Sequence, residues 1–407
     1  MMITHLSLTN FRNYSRLELD LPEGITLLQG DNAQGKTNLL ESIYYLVTTR
    51  SPQAGSDWEL INWLGREDPV AFTRLVGDIQ WDGKTQRIEL ILAPSPGMRP
   101  ASVTLRKQIR VDGVTRRAMD LIGLVNVVIF RPQDIELVAD APGNRRHYLD
   151  AMLCQIDSRY CRALQLYNRI LNQRNCLLRQ LRERRTGGED QLVFWDQRLA
   201  EQGAYITCCR REALRRINQF SQPIHLDMTD QRERLSLRYQ PSLTVVSLPA
   251  APADQEQPAA QEGWSMAGTE VTALACSFQA GLTDAHREEV ARGVTLLGPH
   301  RDDFRFLLAD IDLTTYGSRG QQRTAALALK LAETELVRQV KGHWPILLLD
   351  DVMSELDGQR RRRLMELVNG AKQTVMTTTD VDAYSVSFLS QVVRYQVRQG
   401  RLEAVGE

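Results

Sequence analysis

The sequence predicts an α/β protein whose parallel-sheet domain is assembled from both ends of the chain, with an accessory antiparallel sheet and an inserted α-helical domain. Three observations predict it. Gly30-Asp31-Asn32-Ala33-Gln34-Gly35-Lys36-Thr37 is a G-x-x-x-x-G-K-T phosphate loop near the start of the 407-residue chain. Ile346 to Asp351, near its end, reads four aliphatics and then two aspartates. A long stretch between them carries Leu, Arg and Gln at helical spacing. A phosphate loop needs a carboxylate from a neighbouring strand to complete a magnesium–nucleotide site, so the two ends must meet.

Taken in order, Gly24 to Gln29 is a short apolar run opened by Pro22 and Gly24, which predicts a buried strand. Residues 37–46 place apolar side chains at helical spacing. Strand, glycine loop and helix form the context in which the motif is meaningful. The loop's N–H groups and the helix N-terminus then make an anion cradle. Lys36 is expected to reach the β- and γ-phosphates, and the Thr37 hydroxyl to coordinate Mg²⁺. Val70–Trp81, Arg87–Ala93 and Val103–Val111 alternate as strands, with hairpin turns at Asp82-Gly83 and Asp112-Gly113. From about residue 145 to 220 the pattern predicts an antiparallel helical hairpin, broken near Thr186-Gly187-Gly188. Residues 241–265, with four prolines among Ala, Gln and Glu, predict a flexible loop, and helical spacing resumes from Glu270 to Arg292. The expected domains are therefore 1–150, 151–290 and 291–407.

In the last of these, Tyr316-Gly317-Ser318-Arg319-Gly320-Gln321-Gln322-Arg323 precedes a strong helical stretch. A Ser-x-Gly-Gln turn at a helix N-terminus is a second anion site. The run 346–349 suits a central parallel strand covered on both faces. Asp350 is positioned to hold Mg²⁺. Asp351, one residue on, is positioned to orient or deprotonate an attacking water. Ser354-Glu355-Leu356-Asp357 and an Arg-rich helix from Gln359 to Val368 follow.

The order of these three motifs resembles that of the ABC-type ATPases. Within that superfamily the chain resembles the RecF recombination and repair family, relatives of the SMC proteins. Further matching blocks run the length of the chain: residues 8–14, Phe130 to Val138, Arg145 to Asp150, Gly298-Pro299-His300-Arg301-Asp302-Asp303 and Thr377-Thr378-Thr379-Asp380. The resemblance implies an ABC-type P-loop ATPase head assembled from both termini, with an accessory antiparallel sheet and a helical arm. It implies that ATP and Mg²⁺ are the cofactors and that Arg12 and Asn13 also touch nucleotide. It further implies that Ser318, Arg319, Gly320 and Gln321 close over the ATP of a second copy, with Ser354 and Asp357 in the loop beside it. An ATP-dependent homodimer, double-stranded and gapped DNA, and a mediator such as RecR are the implied partners, in DNA replication, repair and the SOS response. Gln133 stands where the family usually carries a glutamate. Thr377-Thr378-Thr379 stands where transporter relatives place a switch histidine. His300 is read as a structural hydrogen-bonding residue.

Charge is balanced, 50 basic against 50 acidic residues, so any nucleic-acid binding must come from local patches. Residues 145–185 hold ten arginines against Asp150, Asp157 and Glu183, and a second cluster holds Arg106, Lys107, Arg110, Arg116 and Arg117. Arg360 to Arg363 is a third. Such clusters give salt-sensitive, sequence-independent phosphate binding. Arg106, Lys107, Arg110, Arg145 and Arg146 are the DNA-binding candidates. No helix-turn-helix, zinc finger or stacking platform is visible. The six cysteines form no C-x-x-C pair and are read as reduced thiols. No signal peptide or membrane-spanning run is seen, so a cytoplasmic protein without membrane association is expected. A transporter ATPase subunit is the rival reading, but its signature would lie closer to the phosphate loop and no basic arm would intervene. A nuclease-complex ATPase is another, but it would need a further metal-binding domain.

Overall fold

The computed structural model describes residues 1–62, 72–94, 105–184, 190–243 and 268–405. The expected break at Thr186-Gly187-Gly188 and nearly all of the expected loop 241–265 lie outside the described residues. The chain divides into two compact units, one of residues 1–135 with 327–407, the other of residues 136–326.

The first unit is built on two sheets. Its strands, in chain order, are β1 (Met2–Phe11), β2 (Tyr14–Asp20), β3 (Gly24–Gln29), β4 (Thr73–Trp81), β5 (Lys84–Pro94), β6 (Leu105–Val111), β7 (Val114–Arg116) and β8 (Val127–Phe130). In the second unit come β9 (Leu235–Gln240), β10 (Asp303–Leu308) and β11 (Ile311–Asp312). Back in the first unit are β12 (Ile346–Asp350), β13 (Gln373–Thr378), β14 (Val393–Arg398) and β15 (Arg401–Ala404). One sheet has the order β15-β14-β3-β13-β12-β8. Its pairings are parallel except at the β15 edge. Strands β8, β12 and β13 are buried along their whole length, as apolar parallel strands covered on both faces must be. The other sheet, β2-β1-β4-β5-β6-β7, is antiparallel throughout. Its turns at Asp82-Gly83 and Asp112-Gly113 have positive φ at both residues, the two-residue geometry that those dipeptides favour.

The helix Lys36–Thr48 contacts strands of both sheets. That placement explains why it is buried nearly all round: Leu39, Leu40, Ile43 and Leu46 join one apolar cluster with Leu6, Leu75 and Leu90 of the antiparallel sheet and Leu348 and Val375 of the parallel one.

The second unit is mainly helical. Three long helices, Ser158–Arg184, Asp190–Met228 and Gly268–Arg292, pack side by side. Contacts pair Tyr160 with Arg210, Tyr167 with Gly203 and Arg174 with Asp196, so the first two run antiparallel. Contacts of Gly203 with Phe278 and Asp196 with His286 show the same for the second and third. The 39-residue helix would extend about 58 Å at 1.5 Å per residue. Inside the bundle Arg174 is fully buried and donates to Asp196, Glu289 and the Thr295 hydroxyl, which satisfies the cation in an apolar surround.

This unit is larger than the expected arm of 151–290, because the flanking segments are built into it. Arg145, in the helix Pro142–Ile156, grips the Asp303 carboxylate at the head of β10 with two bonds, 2.7 and 3.0 Å, and β10 pairs along its length with β9. Residues 136–150 and 291–326 therefore belong to the helical unit. No helix among the described residues is long and apolar enough to cross a membrane.

Candidate nucleotide site

Strand β3 delivers the chain to Gly30, and the loop 30–35 then turns into the helix Lys36–Thr48. Both motif glycines are required by geometry. Gly30 has φ +152°, and a Cβ there would stand 2.5 Å from the Val397 carbonyl oxygen. Gly35 has φ +115°, and a Cβ there would stand 2.4 Å from the Asn13 side chain. Lys36 folds back under the loop, and its ammonium donates to the carbonyls of Gly30 and Asp31 at 2.6 and 2.7 Å. Burial draws its pKa down, and Asp351, Asp350 and Asp31 oppose that pull. The loop is thereby held open around a cation, beside the unpaired N–H groups of a helix N-terminus.

The second motif meets the first as expected. The Thr37 hydroxyl donates to Asp350 Oδ1 at 2.8 Å, joining residues near opposite ends of the chain. Burial raises the Asp350 pKa, and the hydroxyls of Thr37 and Thr377 counter it by bonding the charged form. Asp351 follows in a left-handed conformation, φ +48° and ψ +26°, unusual for a residue with a side chain. Ser354 Oγ donates to the Asp351 carbonyl at 2.7 Å, and Asp357 caps the helix Gly358–Gly370 by accepting from Arg360 N. Arg361 donates to the carbonyls of Met353 and Leu356, so that helix also fixes the loop between Asp351 and Asp357.

The sequence reading missed how the phosphate loop is braced. Asn13 Nδ2 donates to the Gln34 carbonyl at 2.9 Å, and Asn38 Nδ2 donates to Asn13 Oδ1 at 2.7 Å. Tyr14 Oη donates to the Gly35 carbonyl at 2.9 Å. From the other side, the β14–β15 turn donates Gln399 N to Gln34 Oε1 and Gly400 N to the Gln34 carbonyl. The β1–β2 turn and the C-terminal hairpin thus hold one loop residue, Gln34. Only Asn13 and Tyr14 carried a signal in the sequence, as part of the N-terminal block.

Arg12 and His300 each make contacts of their own. Arg12 is committed to Glu41 by two 2.8 Å bonds and to the Glu59 carbonyl, and Glu41 is buried. Gln133 is exposed in a 3-10 turn, Pro132–Ile135, where the neighbouring Asp134 bonds Arg131. His300 is a structural residue: its ring lies 2.7 Å from Tyr167 Oη and 3.2 Å from the Thr295 carbonyl, and burial draws its pKa to about 4.

The signature belongs to the second unit. Ser318 Oγ accepts from Gln321 N at 3.2 Å, and Gln321 Oε1 accepts from Ser318 N at 2.9 Å. This reciprocal capping starts the helix Arg319–Lys341. Ser318, Arg319 and Gly320 are exposed, while Gln321 N is taken by the Ser318 hydroxyl and Gln322 N by the Ser318 carbonyl.

The basic candidates divide sharply. Arg145 is buried and spent on Asp303 and the Asp140 carbonyl, so it is no surface contact. Arg146 donates to the Asp302 carbonyl. Lys107 pairs with Asp57 at 3.0 Å and Arg110 with Glu89 at 3.3 Å. Arg106 stays exposed on β6. On the Ser158–Arg184 helix, Arg159, Arg162, Arg169, Arg179 and Arg182 are exposed, whereas Arg174 points into the bundle.

The family profile described as RecF/RecN/SMC N terminal domain matches residues 2–402. A DNA replication and repair protein RecF of Herpetosiphon aurantiacus is 42% identical over 407 residues, spanning 98% of this chain and 99% of its own. That of Chloroflexus aurantiacus is 42% identical, with 99% and 100% covered. Among solved structures, the recombination mediator protein RecF-ATPrS of the RecFOR pathway superposes with a TM-score of 0.82 at 31% identity, over 100% of this chain and 98% of that one. An SMC head bound to the C-winged helix domain of ScpA shares the fold alone, with a TM-score of 0.50 at 12% identity. The architecture is thus the mixed α/β head of ABC and SMC ATPases.

Proposed function

This chain belongs to the RecF family of DNA replication and repair proteins, and from that premise we propose that it is a slow ATPase that works as a switch on DNA. ATP held by residues 30–37 of one copy is capped by Ser318-Arg319-Gly320-Gln321 of a second, which favours a closed homodimer. The closed dimer grips double-stranded DNA at gaps without sequence preference and helps to load recombination mediators, with RecR as the expected partner, in the cytoplasm during replication and the SOS response. Hydrolysis removes the γ-phosphate bridge and releases the grip. A ligand shifts such an equilibrium only through contacts that differ between the two states, and a shared phosphate supplies that difference.

The observation that carries this reading is the 2.8 Å link from Thr37 to Asp350, with Lys36 and Asp351 beside it. A hydroxyl and one carboxylate are hard oxygen donors, the small set Mg²⁺ takes from protein when phosphates and water complete its shell. Thr37 and Asp350 would hold that ion, which when bound neutralises phosphate charge. Lys36 gives a second positive charge to the phosphates. Asp351 orients the attacking water and takes its proton as the water oxygen bonds the γ-phosphorus and the bond from that phosphorus to the β–γ bridging oxygen breaks, so that ADP leaves.

DNA contact fits the exposed Arg159, Arg162, Arg169 and Arg179 of the Ser158–Arg184 helix better than Arg145 or Lys107, whose charges are already paired. Lys36→Met is expected to abolish ATP-dependent dimerisation. Asp351→Asn keeps the cation ligand, removes the base, and is expected to accumulate ATP-bound dimers. A dimer formed by the Lys36 variant with ATP contradicts the switch, and a wild-type hydrolysis rate in the Asp351 variant removes that residue from the chemistry.

A further inference from the structure

Thr377 is buried at the end of β13, and the parallel register sets it beside Asp350 of β12. Its Oγ1 lies 3.0 Å from Asp350 Oδ1, 2.8 Å from Asp351 N and 3.5 Å from the Leu349 carbonyl. The donor directions follow without ambiguity. A backbone N–H only donates, so the hydroxyl oxygen accepts from Asp351. The hydroxyl has one proton, and the nearer acceptor is the Asp350 carboxylate, which also carries the charge.

We propose that Thr377 is a positioning residue of the hydrolytic site, whose one hydroxyl orients the Asp350 carboxylate and holds the Asp351 backbone at the same time. The inference rests on the reading of Asp350 and Asp351 given above. Thr37 and Thr377 converge on the same oxygen, Oδ1, so the carboxylate cannot rotate without losing both bonds. Among the described residues nothing hydrogen-bonds its second oxygen, which leaves those lone pairs for a cation. The Asp351 N–H is held at the point where the chain leaves β12 for a left-handed turn, a conformation that persists only where its surroundings fix it. Threonine suits the position because its β-branched side chain packs in a buried strand while the hydroxyl does the bonding.

Valine keeps that shape and removes only the hydroxyl, so Thr377→Val isolates the proposed role, and Thr377→Ser restores the hydroxyl with less bulk. The valine variant is expected to lose about ten- to a hundredfold in kcat, the size of one hydrogen bond to a charged group. KM for ATP should change little, because the phosphate loop is untouched. Half-saturating Mg²⁺ should rise, because Asp350 loses one of the two bonds that fix its orientation. Serine should recover most of the rate. Wild-type kcat in a folded valine variant overturns the proposal, as does a serine variant as slow as valine. If the wild-type protein does not hydrolyse ATP, the ATPase reading fails. The Mg²⁺ dependence of binding a fluorescent ATP analogue then decides the role of Thr377: a higher requirement in valine but not in serine supports it, and equal requirements refute it.

Discussion

At the scale of single residues, the local geometry was legible wherever a motif fixes a backbone shape, and illegible wherever a charge is spent inside the fold. Lys36, Thr37, Asp350 and Asp351 came from two motifs read together with their strand, loop and helix context, and Thr37 and Asp350 meet in the fold. Arg145 read as a DNA contact and is buried against Asp303, since one sequence does not show which arginine of a basic run meets an acid far along the chain. His300 is the converse case, a suspected structural residue whose ring bonds Tyr167 and the Thr295 carbonyl. Its folded pKa, about 4, lies below the ordinary 6.5 because burial disfavours the cation. Between those values the unfolded chain takes up a proton that the folded chain refuses. The stability involved is therefore present above pH 6.5 and lost as pH falls toward 4. A non-titrating His300→Gln variant is expected to lose that part of the acid slope, up to about 1.4 kcal/mol per pH unit. Urea unfolding of both proteins at neutral and mildly acidic pH measures it, and identical slopes would contradict the assignment.

Elements were read best where local rules decide them. The turns at Asp82-Gly83 and Asp112-Gly113 adopt the positive φ that their residues favour, and β3, β12 and the helix after the phosphate loop fall close to their expected places. The parallel order β14-β3-β13-β12-β8 was not legible, because pairing of strands distant in sequence leaves no local pattern. For the same reason the bracing of Gln34 by the β1–β2 turn and the β14–β15 hairpin was hidden. That brace is expected to have a measurable share in nucleotide binding. Tyr14→Phe removes the donor to the Gly35 carbonyl, at a cost of about 1 kcal/mol. The expected result is a several-fold weaker Kd for ATP by titration calorimetry with little change in fold, and an unchanged Kd would show that the loop keeps its shape without this contact.

Across the whole molecule, the division into a two-sheet unit built from both termini and an inserted helical unit was readable from motif order and composition. The limits of the insertion were not. They depend on β9 pairing with β10 and on Arg145 reaching Asp303, contacts that extend the unit to residues 136–326. The phosphate loop and the signature fall in different units, and the proposed ATP-closed pair of copies would give both a use. Molar mass by light scattering tests this most directly, without nucleotide, with ATP, and with ATP plus duplex DNA at low and high salt. The expected result is a monomer that doubles in mass only with ATP and then holds DNA in a salt-sensitive way. A mass unchanged by ATP, with no DNA retained, would contradict it.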